Sequence, residues 1–382
     1  MTPRSRTPSG AKARAVIAGA GAAGLACALT LARAGWSVRV MEAGEAGRGA
    51  ARASGGMLAP GFETLFETDP AHPLAGAFAA LAARSARLWG LWAPALSARA
   101  IGHARPGVMV PLVSEHDLDR AEAVLARADA LDIAVTRLGA DAARAAEPAL
   151  GDVKGALVIP GDGQLDNRAL GPVLIAAAQA AGAVLETEAP VAALSCHGGR
   201  AMALVTEDGR RVEADLIVLA AGTGRIAGAP EAAHMVPVKG QMIAWGPPAP
   251  CALRHVVRHP DIYLAAKPDG RIIAGATSEA GVSTLDTDAD ALAGLASRAG
   301  ALVPSLSGRK PDEAWAGLRP RAKDAMPVIG EAAPGLIILG GGYRNGVLLA
   351  PAMAEAAAIL ANSGALPDWA APFTALRPGL QG

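Results

Sequence analysis

Aromatic side chains, cysteine, net charge and long unbroken apolar runs are all in short supply in this sequence, and each shortage excludes something. Phe, Trp and Tyr make up 3% of the 382 residues, and there are only two tyrosines, so each aromatic is worth locating. Thirty-five basic and thirty-five acidic side chains balance to zero, which argues against a protein that coats nucleic acid. The three cysteines, Cys27, Cys196 and Cys251, are widely spaced and odd in number. They build neither a CxxC motif nor a disulfide framework, so a reducing cytosol is expected. No apolar stretch of roughly 18 residues is free of glycine clusters and charge, so no membrane span is expected. What is abundant is core material. Hydrophobic residues are 52% and charged residues 18%, which excludes global disorder. At about 150 residues per domain the length suggests two or three domains.

The basic, polar start followed by an apolar run over 15–31 has the outline of a signal peptide. Gly19, Gly21 and Gly24 interrupt the run and no polar cleavage region follows, so it is read as part of the fold. Residues 1–12 are expected to be a disordered tail.

Ala13–Ala18 predicts a buried strand, a glycine-rich turn follows, and an Ala/Leu-rich helix runs to Ala34, where Gly35 stops it. Trp36–Glu42 alternates as a second strand, completing a βαβ unit and implying a doubly wound parallel sheet. Helices are predicted over 71–99, 116–131, 169–181, 289–302 and 347–362. Strands are predicted at 107–113, 183–187, 215–220 and 335–339, with a meander over 191–212. Val236–Trp245, Asp261–Lys267 and Arg271–Thr277 read as antiparallel strands, the last two joined by a Pro-Asp-Gly turn. The expected fold class is α/β. Residues 13–60, 151–225 and 314–382 form a discontinuous Rossmann-like domain, and an antiparallel substrate domain is made of 61–150 and 226–313.

The chemistry begins at Gly19-Ala20-Gly21-Ala22-Ala23-Gly24, a G-x-G-x-x-G between a strand and a helix. The first glycine makes the turn, the second admits a pyrophosphate, and the third lets helix and strand pack closely; the phosphates face the helix N-terminus. Glu42 ends the next strand, where a carboxylate accepts hydrogen bonds from ribose hydroxyls and repels a 2′-phosphate. NADP is disfavoured, and the motif leaves FAD and NAD both open. Two small-residue loops follow, at 50–60 and 340–351. The second opens a helix whose N–H groups could stabilise negative charge on a reduced flavin.

Gly-Met-Leu-Ala-Pro at 56–60, Pro-Val-Lys-Gly-Gln at 237–241, Gly-Ala-Thr at 275–277 and Trp-Ala-Gly-Leu-Arg-Pro at 315–320 add specificity. With Asp324, Pro327, Gly330 and the 340–351 segment, they give a chain that resembles the FAD-dependent D-amino-acid oxidase superfamily over almost its whole length, and within it the glycine oxidases of thiamine biosynthesis. The resemblance implies that Arg319 grips a substrate carboxylate, that Tyr263 also reaches it, and that Arg344 is a second pocket arginine beside the flavin. It implies non-covalent FAD held by Gly19, Gly21, Ala22, Ala23, Gly24, Glu42 and Ala43. Further cofactor contacts are implied at Arg52, Ala53, Ser54, Gly56, Met57, Leu58 and Gly317, at Val191 beside the adenine, and at the Ala221-Gly222 turn. Asn345, Gly346, Val347 and Leu348 join Arg344 in this group. An Arg fork meets a carboxylate bidentately, worth on the order of 1.5–3 kcal/mol, in independent agreement with the role of Arg319.

The sequence departs from the glycine-oxidase pattern in three places. Ser278 stands where a bulky Met usually follows Gly-Ala-Thr, Gly342 replaces a His, and Arg52 replaces a Trp or Ser. Ser278 and Gly342 are expected in the substrate pocket, made larger or more polar. The implied activity is oxidative deamination of a small amino acid (glycine, sarcosine or a small D-amino acid) to an imine and keto acid, ammonia and hydrogen peroxide, feeding thiamine biosynthesis. The partners are the amino acid and molecular oxygen, without nucleic acid or a membrane span; a homo-oligomer is compatible. A D-amino-acid oxidase or dehydrogenase with another electron acceptor, an NAD-dependent dehydrogenase and a non-catalytic flavin module are the alternatives. His255 and His259 stand four apart but lack the acidic residue of H-E-x-x-H, so no metal site is expected and the stretch is read as surface or turn. No G-x-S-x-G elbow supports Ser/His/Asp catalysis.

Overall fold

The computed structural model describes residues 12–380. The expected tail, apart from Lys12, lies outside the described residues. The chain divides into two compact units, Met1–Ala51 with Gly171–Val236 and Pro320–Gly382, and Arg52–Leu170 with Pro237–Arg319.

The first unit is built on a six-stranded sheet. Its order is Val328–Ala333, Leu336–Gly340, Leu216–Leu219, Arg14–Ala18, Ser37–Met41, Val184–Glu186, parallel except for the first pair. Strands such as Leu-Ile-Val-Leu at 216–219 are buried at every position, as expected of a parallel sheet covered on both faces. Helices Ala22–Arg33 and Gly346–Ser363 pack against each other, their Ala-rich faces allowing close approach. The meander forms as three strands, Val191–His197, Arg200–Thr206 and Arg211–Glu213; Gly198 and Gly199, both at positive φ, add a turn that divides its first arm. Helix Tyr343–Ser363 is long and apolar enough to cross a membrane by length and composition, but it carries Arg344 and Glu355 and so is not a charge-free stretch. It is 67% buried, as a core helix is.

The second unit carries a nine-stranded sheet in which Glu279–Ala280, Val236–Trp245, Ile272–Gly275, Ile262–Ala266, Val256–His259, Val108–Leu112, Gly155–Ile159 and Thr136–Gly139 follow one another, and Glu313–Arg321 also pairs with Val236–Trp245. Along that run of eight strands the pairings are antiparallel save for that of Val256–His259 with Val108–Leu112. A two-stranded piece joins Met57–Leu58 to Gly163–Gln164. Helix Glu115–Ala130 starts in a capping box, Ser114 with Asp117, and helix Ala289–Leu302 is capped by Asp288.

The unit boundaries differ from those expected. Residues 52–60, 151–170 and 314–319 join the second unit, because their strands pair with Gly163–Gln164, Val108–Leu112 and Val236–Trp245 respectively. Residues 226–236 join the first, where Ala227 bridges Ala193. The His255–His259 stretch is no turn. Val256–His259 is a strand, with Arg258 buried between Phe62, at 3.7 Å from its ring centroid, and Glu63, at 2.9 Å.

Beside this pair, the Asp162 carboxylate accepts the Gly61 and Phe62 N–H groups at 2.9 and 2.8 Å. Burial raises its pKa to about 7 against the pull of those two donors and Arg258. Its neutral form therefore suits the fold. Its contribution is complete below the ordinary carboxyl range and is lost as pH rises through about 7. Asp162→Asn should cost about 1–3 kcal/mol at pH 4, since one N–H loses its acceptor. The gap to wild type should shrink between pH 4 and 7 in urea unfolding; a gap independent of pH would contradict this assignment.

Candidate cofactor and substrate site

In the first unit the glycine motif is shaped by contacts that exclude side chains. Gly19 has φ +104°, and a Cβ there would lie 2.4 Å from the Ala220 carbonyl oxygen. A Cβ on Gly24 would lie 1.9 Å from the Gly19 carbonyl oxygen. Gly21 by contrast faces nothing within 4 Å, so its backbone is open to a ligand. It caps helix Ala22–Arg33 without a side-chain hydrogen bond, and the first i→i−4 bond runs from Leu25 to Gly21 at 2.9 Å. The N–H groups of Ala22, Ala23 and Gly24 thus precede the helical ladder and point with the positive end of the dipole.

Glu42 directly follows strand Ser37–Met41. Its carboxylate accepts the Ala20 N–H at 2.7 Å and the Gly44 N–H at 3.3 Å, which ties it and neighbouring Ala43 to the motif. A carboxylate has about four acceptor positions, so two N–H bonds leave room for ribose hydroxyls. The Glu42 carbonyl accepts from Ala189 at 2.9 Å, which brings Val191 to the same end of the sheet. The Ala221–Gly222 turn lies against Gly19, whose Cβ would approach Ala221 Cα to 3.0 Å. A small cleft, lined in part by Leu219, Ala221, Gly222, Ile226, Met235 and Gly340, adjoins that turn.

At the other end of the chain, Gly341 has φ +66°, and its Cβ would meet the Met326 carbonyl oxygen at 2.8 Å. A Cβ on Gly342 would meet Gly346 Cα at 2.7 Å. This forced turn sets Arg344 and Asn345 immediately before helix Gly346–Ser363 and places Gly346, Val347 and Leu348 on its first turn.

The second unit holds the remaining candidates. Arg52 and Ala53 lie in the short helix Ala50–Ala53, and the Trp315 indole donates to the Ala53 carbonyl at 2.9 Å. A Cβ on Gly317 would lie 2.4 Å from the Ala53 Cβ, so these two expected cofactor residues touch. The Ser54 hydroxyl accepts the Gly56 N–H at 3.1 Å, and Gly56 has φ +66°. Met57 and Leu58 then pair with Gln164 and Gly163.

Arg319 sits half-buried on strand Glu313–Arg321 and donates to the Thr277 carbonyl at 3.0 Å. Its guanidinium lies flat on Gly240, where a Cβ would come within 2.2 Å of Nη2 and 2.4 Å of Cζ. Tyr263 stands opposite Gly275, which stands opposite Met242, so these three share one face of the sheet. Gly240, two residues before Met242, shares that face too. Arg319 and Tyr263 are therefore brought to one face, while Arg344 belongs to the first unit. The Tyr263 hydroxyl donates to the Met242 sulfur at 3.0 Å, a weak acceptor that a carboxylate would outcompete. Ser278 follows Thr277 in the chain.

Behind Arg319 is a polar network that sequence reading missed. Glu279 accepts from the Gln241 amide at 2.8 Å and the Thr277 hydroxyl at 2.7 Å, and these bonds hold its carboxyl below the usual range against burial. The Lys239 ammonium is 3.7 Å away. Gly240 lay within a quoted motif; a glycine in the middle of a strand was the available signal of close approach. Among the described residues, no group of three or more His, Cys, Asp or Glu side chains is placed to hold a metal.

The chain matches the FAD dependent oxidoreductase family profile over residues 14–360. It is 30% identical to the glycine oxidase of Geobacillus kaustophilus over 88% of this chain and 89% of that protein. The crystal structure of that enzyme superposes with a TM-score of 0.83, covering 96% of this chain and 99% of the other at 29% identity. A bifunctional ThiO/ThiG protein of Synechocystis sp. is 38% identical over 54% of this chain, which spans 32% of that longer protein. An iminodiacetate oxidase of Chelativorans sp. BNC1 matches with a TM-score of 0.80 at 27% identity, over 94% of this chain and 98% of that one.

This chain belongs to the FAD-dependent oxidoreductases. Within them it is of the D-amino-acid oxidase and glycine oxidase type. The choice between FAD and NAD that the glycine motif left open is thereby made for FAD, which the open backbone at Gly21, the helix N-terminus and the Glu42 carboxylate fit.

Gly24→Ala places a methyl group against backbone that cannot yield cheaply. It should abolish the yellow flavin absorption of the purified protein, whereas Gly21→Ala should fold normally and only weaken FAD binding. Full flavin occupancy in Gly24→Ala would contradict this account of the cradle.

Proposed function

We propose that this enzyme oxidises a small amino acid (glycine, sarcosine or a small D-amino acid) to the corresponding oxo acid and ammonia, or methylamine from sarcosine, with oxygen taking the electrons as hydrogen peroxide. The observation that carries the reading is the Arg319 guanidinium lying flat on Gly240, on the sheet face that also presents the Tyr263 hydroxyl.

Bound FAD supplies a two-electron acceptor for the substrate Cα–H. The protein's part is to orient. Arg319 offers a planar fork to the substrate carboxylate, and Tyr263 turns its hydroxyl from the Met242 sulfur to the same group. Fixing the carboxylate at two points leaves the Cα–H and the amine pointing in defined directions. The amine reacts in its neutral form, whose lone pair assists departure of the hydride, so no protein base is needed. Water hydrolyses the imine product. The overall conversion consumes the amino acid, water and oxygen and yields the oxo acid, ammonia (methylamine from sarcosine) and hydrogen peroxide.

Arg344, at the head of the last helix, serves in this reading as the second pocket arginine. Ser278 and Gly342 enlarge the pocket. The cofactor residues are those assigned above, from Gly19 through Leu348, with FAD bound without a covalent link. The names of the ThiO/ThiG relatives support a role in thiamine biosynthesis. The three cysteines are free, in keeping with a reducing cytosol. A dehydrogenase passing electrons to another acceptor is the competing reading.

A peroxide-coupled screen of glycine, sarcosine, small D-amino acids and iminodiacetate, the last because of the structural likeness to an iminodiacetate oxidase, tests the activity. Turnover without peroxide in air would favour the dehydrogenase. Arg319→Ala should raise KM about 10- to 150-fold, the equivalent of a 1.5–3 kcal/mol charge-assisted pair, with FAD retained. Gly240→Ala should raise it about tenfold by tilting the guanidinium. Unchanged KM in both variants would remove Arg319 from the substrate site.

A further inference from the structure

Lys267 is a buried ammonium that the proposed chemistry does not use. It follows strand Ile262–Ala266, the strand that carries Tyr263. Its Nζ donates to three acceptors: the Gly55 carbonyl at 2.7 Å, the Gln164 side-chain oxygen at 2.8 Å and the Leu165 carbonyl at 2.9 Å. An ammonium has three N–H donors, so these three bonds match its capacity. The acceptors surround one short segment. Leu165 N–H donates to the Gly56 carbonyl at 2.8 Å, Gln164 pairs with Met57, and the Gln164 amide donates to the Ala266 carbonyl at 2.9 Å. On the other side of Gly55 lies the Tyr263 ring, whose hydroxyl oxygen would be 2.5 Å from a Gly55 Cβ. One stretch of chain thus grips the Gly55–Gly56 turn twice, with the Tyr263 ring and with the Lys267 ammonium.

We propose that Lys267 is a positioning residue for the cofactor, its ammonium fixing the Ser54–Leu58 loop in the shape that lines the flavin. The proposal rests on the reading of that loop as flavin-lining. A buried cation is a costly way to fill space; a Met of similar length would pack there without desolvation. Burial draws the Lys267 pKa down to about 7, Arg271 adding to the fall and Asp166 and Asp269 opposing it. What the cation provides that Met cannot is a single point satisfying the carbonyls of Gly55 and Leu165 together. Gly56, at φ +66° and with its would-be Cβ 2.4 Å from the Leu165 carbonyl oxygen, has no side chain with which to hold its own conformation.

The test is FAD release from holoenzyme on dilution, followed by flavin fluorescence, beside the thermal midpoint and the flavin absorption spectrum. Lys267→Met should release FAD at least tenfold faster and alter the resolved shoulder of the flavin band, while KM at saturating FAD stays within threefold of wild type. A residue with a merely structural role would lower the midpoint and leave release rate and spectrum unchanged, and that result overturns the proposal. If Lys267→Met gives no soluble protein, Gln164→Leu decides: release three- to tenfold faster supports the proposal, and release within twofold of wild type overturns it. Wild-type protein that holds FAD but oxidises no amino acid would sink the proposed activity and leave this inference standing. Release from Lys267→Met at the wild-type rate would do the reverse.

Discussion

Bare backbone is the constraint on which this structure depends. The Gly24 backbone meets the Gly19 carbonyl, the Arg319 guanidinium lies on Gly240, and the Tyr263 ring lies on Gly55; in each case an added Cβ would come within 2.5 Å of another atom. The first contact closes strand and helix around an anion-binding turn. The second and third lay planar groups flat on the backbone, a geometry that fixes the direction of their donors. An arginine fork is worth its 1.5–3 kcal/mol only if its plane is set before the carboxylate arrives, since ordering a free arginine side chain costs about as much. The bare strand beneath Arg319 does that ordering in advance.

The fold was largely legible because most of its elements announce themselves locally. Ala-Val-Ile-Ala before a glycine turn, the Ala/Leu run that follows, and the Ser114 and Asp288 caps all act within a few residues. What escaped was non-local. Gly155–Ile159 has the composition of a buried parallel strand, yet it pairs antiparallel with Val108–Leu112, and only that pairing assigns it to the second unit. Val256–His259 was hidden by its ends: His255, Arg258 and His259 look like surface residues, and nothing in the sequence reveals that Glu63 and Phe62 await Arg258 inside.

The candidate site divides along the same line. The cofactor motif could be read because its three glycines lie within six residues, Gly24 meeting Gly19 across a single turn. Arg319 and Tyr263 could be named only through resemblance, because the sheet face that brings them together is built from strands far apart in the chain. Gly240, Thr277, Gln241 and Glu279 carry no signature of their own. Their meaning lies in register, since Gly240 and Met242 belong to the strand that pairs with Gly275, and Gly275 with Tyr263.

Register also explains how the Glu279 carboxylate and the Arg319 guanidinium come to share one network. The network engages Glu279 with the Gln241 amide, the Thr277 hydroxyl and Lys239, and Thr277 meets the guanidinium through its carbonyl. A carbonyl dipole orients a cation without neutralising it, and the carboxylate stiffens the residue that bears that carbonyl. The same economy governs Lys267, whose ammonium is matched to neutral oxygens of Gly55, Gln164 and Leu165. In both places a charge is directed by carbonyls: at Arg319 by that of Thr277, and at Lys267 by those of Gly55 and Leu165, which enclose the cation.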